Sequence, residues 1–275
     1  IFGMRTLRMW VGLIGLSLLA IVILNFSGDA VPGDRFDGTV SYFILVLFSF
    51  AVIWWLRPAT FAYLALPAFG WRFVVAFIFM VNLIVVQIRG EDFSGVTTEK
   101  WVRGVIFLIL VAVAEEIFSR GIVFGVLLRH GLAVAVIGSS LMFGLMHINS
   151  YIGNFDAWPA YWHVMSAASF GVFACALMVL TRSIWMPIVL HAFSNAGLLL
   201  RNAEEVQAER DSVTNVDLFQ GLIHPLPAFA TFVIPSLIMF WIAAGMPLHP
   251  RLHRLAVKWK LIEPVTEKEL PVQES

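Results

Sequence analysis

Charge is scarce in this chain. Asp, Glu, Lys and Arg make up 13% of its 275 residues, about half of what soluble domains usually carry. With 60% hydrophobic residues and a mean hydropathy of +0.86, a water-soluble fold would leave too much apolar surface against solvent. There is a single cysteine, Cys175, set in an apolar run, so a disulfide scaffold and a cysteine-built metal cluster are excluded. Glycine shows no collagen-like period, and so apolar a composition does not stay disordered. Basic excess is also missing: Lys+Arg and Asp+Glu balance at 18 each, which gives no global field for nucleic acid. Strand-like alternation is absent, which argues against a β-barrel, and no short repeat recurs. What remains is an all-α, polytopic membrane helix bundle.

About 20 mostly apolar residues cross a bilayer core of about 30 Å. Eight runs qualify, some only when tilted or extended: Leu7–Phe26, Ser41–Leu56, Phe73–Ile88, Val102–Leu128, Leu132–Ile148, Val164–Leu180, Ile184–Leu200 and Phe229–Met246. The spacing therefore predicts about eight transmembrane helices. Residues 1–100 supply three spans, 101–200 a core of four, 201–247 a polar loop and the last span, and 248–275 a polar tail. The first run reads as a span rather than a cleavable signal, because no small-residue cleavage site follows it. The chain opens on Ile1, and a trimmed start with Met4 as the native initiator is expected. With both termini on one face, ten Lys/Arg fall on that face and six on the other, leaving out Arg120 and Lys268. The positive-inside rule then makes the termini cytoplasmic.

Ionisable side chains at membrane depth are functional candidates by default. Three clusters stand out. In Glu115-Glu116-Ile117-Phe118-Ser119-Arg120, Glu116 and Arg120 lie about 40° apart on a helix and can form an ion pair, whereas Glu115 lies about 140° from Arg120 and is comparatively free. In Phe143-Gly144-Leu145-Met146-His147, the aromatic ring four residues back can pack beside the imidazole and orient it. In His191-Ala192-Phe193-Ser194-Asn195, His191 and Asn195 share a face and can aim two donors at one point, as an oxyanion hole requires. Glu115, His147, His191 and Asn195 come from three spans; one buried polar site explains them more economically than three separate decorations. Gly121, Gly125, Gly138, Gly144 and Gly171 can allow close helix packing around a cavity, with Asn149, His163 and Ser166 at its mouth.

These motifs, in this order and one per helix, resemble the CPBP family of intramembrane proteases, formerly called the Abi family, which includes the CAAX prenyl endopeptidases. The family pattern of EExxxR, FxxxH and HxxxN or HxxxD reads here as Glu115-Glu116…Arg120, Phe143…His147 and His191…Asn195. Arg120-Gly121 and Trp185-Met186-Pro187 resemble the family's flanks, and the likeness covers roughly residues 100–200. It implies an intramembrane endopeptidase acting on a membrane-associated protein or peptide. Glu115 and His147 would activate a water, His191 and Asn195 would stabilise the oxyanion, and Glu116 and Arg120, with Phe143, would hold these groups in place. No cofactor is favoured; a zinc ion on Glu115, His147 and His191 stays open as an alternative, although the HExxH helix of common zinc peptidases is absent. The expected partners are the lipid bilayer and the substrate, with no nucleic acid. The expected location is a prokaryotic cell membrane, crossed several times. Two other readings remain: a catalytically silent scaffold of the same family, and a proton-coupled transporter, for which no inverted repeat is visible.

Overall fold

The computed structural model describes residues 4–25, 38–89, 91–151, 156–199 and 217–245. The polar loop at 201–216 and the tail from 248 onward, both read from the sequence, lie outside the described residues. Hydropathy alone accounts for most of the architecture. Each of the eight apolar runs is helical over most of its described length, and no strand occurs among the described residues. The helices are α1 (Met4–Asn25), α2 (Thr39–Leu56), α3 (Trp71–Ile88), α4 (Thr98–Glu116), α5 (Phe124–Leu127), α6 (Leu132–Met146), α7 (Ala157–Thr181), α8 (Trp185–Ser194), α9 (Leu218–Ile223) and α10 (Leu226–Ala243). Five stretches are long and apolar enough to cross a membrane: α2, α3, α6 with the turn after it, α7, and α9 together with α10. The chain is thus an all-α membrane helix bundle.

Local chemistry sets several helix starts. The Thr97 side chain accepts from the Lys100 N–H at 3.3 Å, Asp156 from the Trp158 N–H at 3.2 Å and Asp217 from the Gln220 N–H at 2.9 Å, each satisfying a donor that the first turn leaves unpaired. Several buried hydroxyls within the helices are satisfied locally as well, although Ser41 and Ser49 of α2 have no hydrogen-bond partner among the described residues. Ser17, Ser139 and Ser236 each donate to the carbonyl four residues back, so they need no partner from another helix.

The surface is apolar where a soluble protein would be polar. Val11, Ile14 and Leu18 of α1, Leu47 of α2 and Ile78 of α3 are all more than half exposed, as expected of side chains that face acyl chains. Helix α7 runs through the centre, with 72% of its apolar window buried against 33% or less in the other four spans. It packs against α6, α10, α8 and α3. Contact with α6 is close because of Gly144: a Cβ there would lie 2.5 Å from the Val164 carbonyl oxygen.

Two features differ from the helical expectation. The run Ile184–Leu200 forms only the ten-residue α8 followed by a 3₁₀ turn, Ala196–Leu199, about half of what a bilayer crossing needs. Being packed against α4, α7 and α3, it gains its burial from protein rather than from length. The stretch after Arg57-Pro58, read from the sequence as punctuation, folds as a 3₁₀ helix, Ala59–Leu64, that docks on the bundle. There Tyr63, Leu64 and Ala65 lend their carbonyls to the Ile184 N–H, the Trp185 indole and the Ser183 hydroxyl. Thr60 is buried and donates to the Gly121 carbonyl.

Candidate active site

The site begins where α4 changes pitch. After Glu116 the backbone widens into a π segment, Ile117–Val123, closed by the Phe124 N–H on the Ser119 carbonyl, and all seven of its residues are buried. Single π turns inside α-helices are frequent at functional sites, and this one directly follows the paired glutamates. Helix α8 brings His191 against the same place.

Glu116 and Arg120 have no solvent exposure, and their ion pair is 3.0 Å long, in the register their spacing implied. The same carboxylate oxygen, Oε1, accepts from the His191 Nδ1–H at 2.8 Å. A carboxylate can only accept while ionised, so this contact fixes the proton on Nδ1 and turns Nε2 toward Glu115. The Glu115 Oε2 atom lies 3.8 Å from that nitrogen, beyond a direct hydrogen bond. Among the described residues it has no hydrogen-bond partner, whereas Glu115 Oε1 accepts from the Tyr42 hydroxyl at 3.1 Å. His191 therefore sits between one engaged carboxylate and one unengaged oxygen.

Phe143 ties the three motifs together. Its ring lies 4.3 Å below the Arg120 guanidinium carbon, a cation–π contact that covers donors left without a hydrogen bond, Nε and Nη2. It meets the His147 ring edge-on at 4.7 Å and the His191 ring edge-on at 5.8 Å. His147 donates through Nδ1–H to the Phe143 carbonyl at 2.8 Å. A carbonyl cannot donate, so in the neutral ring Nε2 carries the lone pair.

The structure thus gathers Glu115, Glu116, Arg120, His191 and Phe143 directly, and joins His147 to them through the Phe143 ring. Among the described residues, no hydrogen bond or ion pair links His147 to either glutamate. Asn195 caps α8: its backbone N–H donates to the His191 carbonyl at 3.1 Å, and its side chain is half-buried. His163 stacks edge-on against His147 at 4.7 Å. Ser166 lines a cavity of about 600 Å³ beside Gln220, His224 and Pro227. Asn149 lies in the 3₁₀ turn His147–Tyr151. Among the described residues no three His, Cys, Asp or Glu side chains gather closely enough to hold a metal ion.

Sequence reasoning missed Tyr42 and Phe170. A tyrosine at the second position of an apolar run carries no signal of a carboxylate partner 73 positions away. Phe170, which packs against His191 at 5.2 Å and lies 5.9 Å from the Arg120 guanidinium carbon, is one of 24 phenylalanines.

Residues 97–197 match the family model for Type II CAAX prenyl endopeptidase Rce1-like proteins. Over this segment the chain is similar to the CAAX protease family. The match contains all three motifs and bears out the resemblance read from them. It leaves out Tyr42 and Thr60, which reach the segment from α2 and from the 3₁₀ helix after it. No curated protein matches the chain. The family is one of membrane-embedded proteases, so a hydrolase acting on a protein or peptide in a bilayer is the setting in which the cluster is to be read.

Proposed function

We propose that this cluster hydrolyses a peptide bond of a membrane-associated protein or peptide. The observation that carries the reading is the position of His191, 2.8 Å from Glu116 and 3.8 Å from an unengaged oxygen of Glu115, inside the family segment. Glu115 takes a proton from water as the oxygen attacks the scissile carbonyl carbon, and the same proton passes to the leaving amine as the C–N bond breaks. His147, with its Nε2 lone pair directed away from the Phe143 carbonyl, is the second group able to carry that proton. An imidazolium at His191 has a donor on each nitrogen. With Nδ1–H bound to Glu116, Nε2–H is left to meet the oxyanion, and the Asn195 amide, one helical turn on, is the second donor. Glu116 and Arg120 hold His191 in place and do not touch the reacting atoms.

Expressing the full chain in cells and comparing the peptide termini of membrane proteins by proteomics tests this. The wild-type chain should generate termini that Glu115→Gln and His147→Ala both abolish. Termini unchanged by Glu115→Gln would refute the role given to that carboxylate.

A further inference from the structure

The proposed chemistry leaves one large cavity unused. Its volume of about 830 Å³ lies within the range of about 300–1,000 Å³ usual for ligand sites. The length of α6 separates it from His147, because Arg129 on its rim precedes that helix and His147 follows it. One wall is α1 from Met9 to Leu19; the other is the end of α2 at Trp55 and the turn from Gly125 to Arg129.

Three properties of this groove agree on one kind of occupant. The first is length. The rise from Met9 to Leu19 is about 15 Å along a helix, half of a hydrocarbon core of about 30 Å and so the depth of one leaflet. The second is width: Gly12 and Gly15 line it, and a Cβ added at either meets nothing within 4 Å. The third is charge at one end. His130 Nε2 lies 3.2 Å from Met9 Sδ, which sets Arg129 level with the beginning of the groove. The neighbouring cation, Arg57, rests on the rings of Trp54 and Phe61 at 5.1 and 5.8 Å. Arg129 is exposed, lines the groove, and has no salt bridge to a carboxylate among the described residues. Trp55, 81% exposed at the same end, has the character of an interfacial anchor.

We propose that the groove is a binding site for one anionic phospholipid, with an acyl chain along α1 and the phosphate on the Arg129 guanidinium. The apolar walls accept a chain of any lipid, and Arg129 selects the anionic headgroup. The charge count assigns this face to the cytoplasm, where the anionic lipids of a membrane concentrate. This inference is independent of the proteolytic reading.

Native mass spectrometry decides it. The full chain in detergent is offered equal amounts of phosphatidylglycerol and phosphatidylcholine with identical acyl chains, and retained lipid is counted. Wild type should retain phosphatidylglycerol in preference. Arg129→Gln should lower that retention about fivefold, the factor for one cation near an anionic surface, leaving phosphatidylcholine unchanged. Gly15→Leu, which fills the groove, should lower both. Equal retention of the two lipids by wild type overturns the headgroup assignment, and undiminished retention by Gly15→Leu overturns the location. Arg129 is exposed, so Arg129→Gln tests the proposal even where the glycine variant fails to fold.

Discussion

Removing the Arg120 charge exposes the energetic logic of the site. Arg120→Met keeps the length of the side chain but leaves Glu116 buried with only His191 beside it. Taking one partner from a buried ion pair costs about 3–5 kcal/mol, since the other charge stays out of water uncompensated. Loss of the guanidinium over Phe143 at 4.3 Å adds a smaller penalty, which the methionine sulfur partly offsets. Removing both charges in Glu116→Leu/Arg120→Met should restore most of the stability, because an apolar pair is often as stable as a buried ion pair. What remains is the unpaired Nδ1–H of His191, at about 1–3 kcal/mol. The chain carries its own probe: Cys175 is the only cysteine and is fully buried, so its reaction with a thiol-specific fluorophore on heating reports unfolding. The Arg120→Met midpoint should fall by at least about 6 °C, at roughly 2–4 °C per kcal/mol, and the double variant should lie between it and wild type. A double variant that unfolds below Arg120→Met would refute the argument, and so would a single variant as stable as wild type.

Other substitutions separate chemistry from packing. Glu115→Gln keeps the acceptor for the Tyr42 hydroxyl, so it should shift stability by less than about 1 kcal/mol while lowering cleavage at least about 100-fold, the smallest usual contribution of a general base. Tyr42→Phe removes that donor and should cost about 1–3 kcal/mol in the thermal assay, with a smaller fall in cleavage than Glu115→Gln, seen in kcat rather than KM. Gly144→Val sets a side chain against the Val164 carbonyl and should destabilise by about 1–3 kcal/mol or more. Gly12→Ala, inside α1 and with nothing within 4 Å of its Cβ, should raise stability by about 0.5–1 kcal/mol in the thermal assay.

What was legible in the sequence was what is local. The Glu116–Arg120 contact depends on four residues of helical spacing, and it formed at 3.0 Å. The apolar runs became helices because a helix satisfies its own backbone at membrane depth. The divergence of Glu115 from Arg120 was also visible, but its consequence was not. Whether an imidazole from a helix 75 residues away would lie between the two carboxylates depends on tertiary packing. The π segment gave no sign of itself either, since nothing in Ile-Phe-Ser-Arg-Gly-Ile-Val marks a change of helical pitch. The 3₁₀ helix Ala59–Leu64 was hidden for a related reason. Its partners are backbone carbonyls received by Ser183, Ile184 and Trp185, and a carbonyl is the same group whatever side chain it carries.

The adjacency of the two glutamates has a physical meaning that neither has alone. On one helix, neighbouring side chains point about 100° apart, so a single cation cannot engage both equally. Arg120, four residues from Glu116, binds that one and leaves Glu115 with an oxygen unengaged. His191 responds to the asymmetry: its Nδ1 takes the engaged carboxylate, and its Nε2 is directed at the free one across 3.8 Å. A leucine and a methionine in place of Glu116 and Arg120 would keep most of the stability, short only of the hydrogen bond that His191 Nδ1–H loses. Stability therefore does not account for a buried pair of charges here. An imidazole fixed on one side and open on the other does.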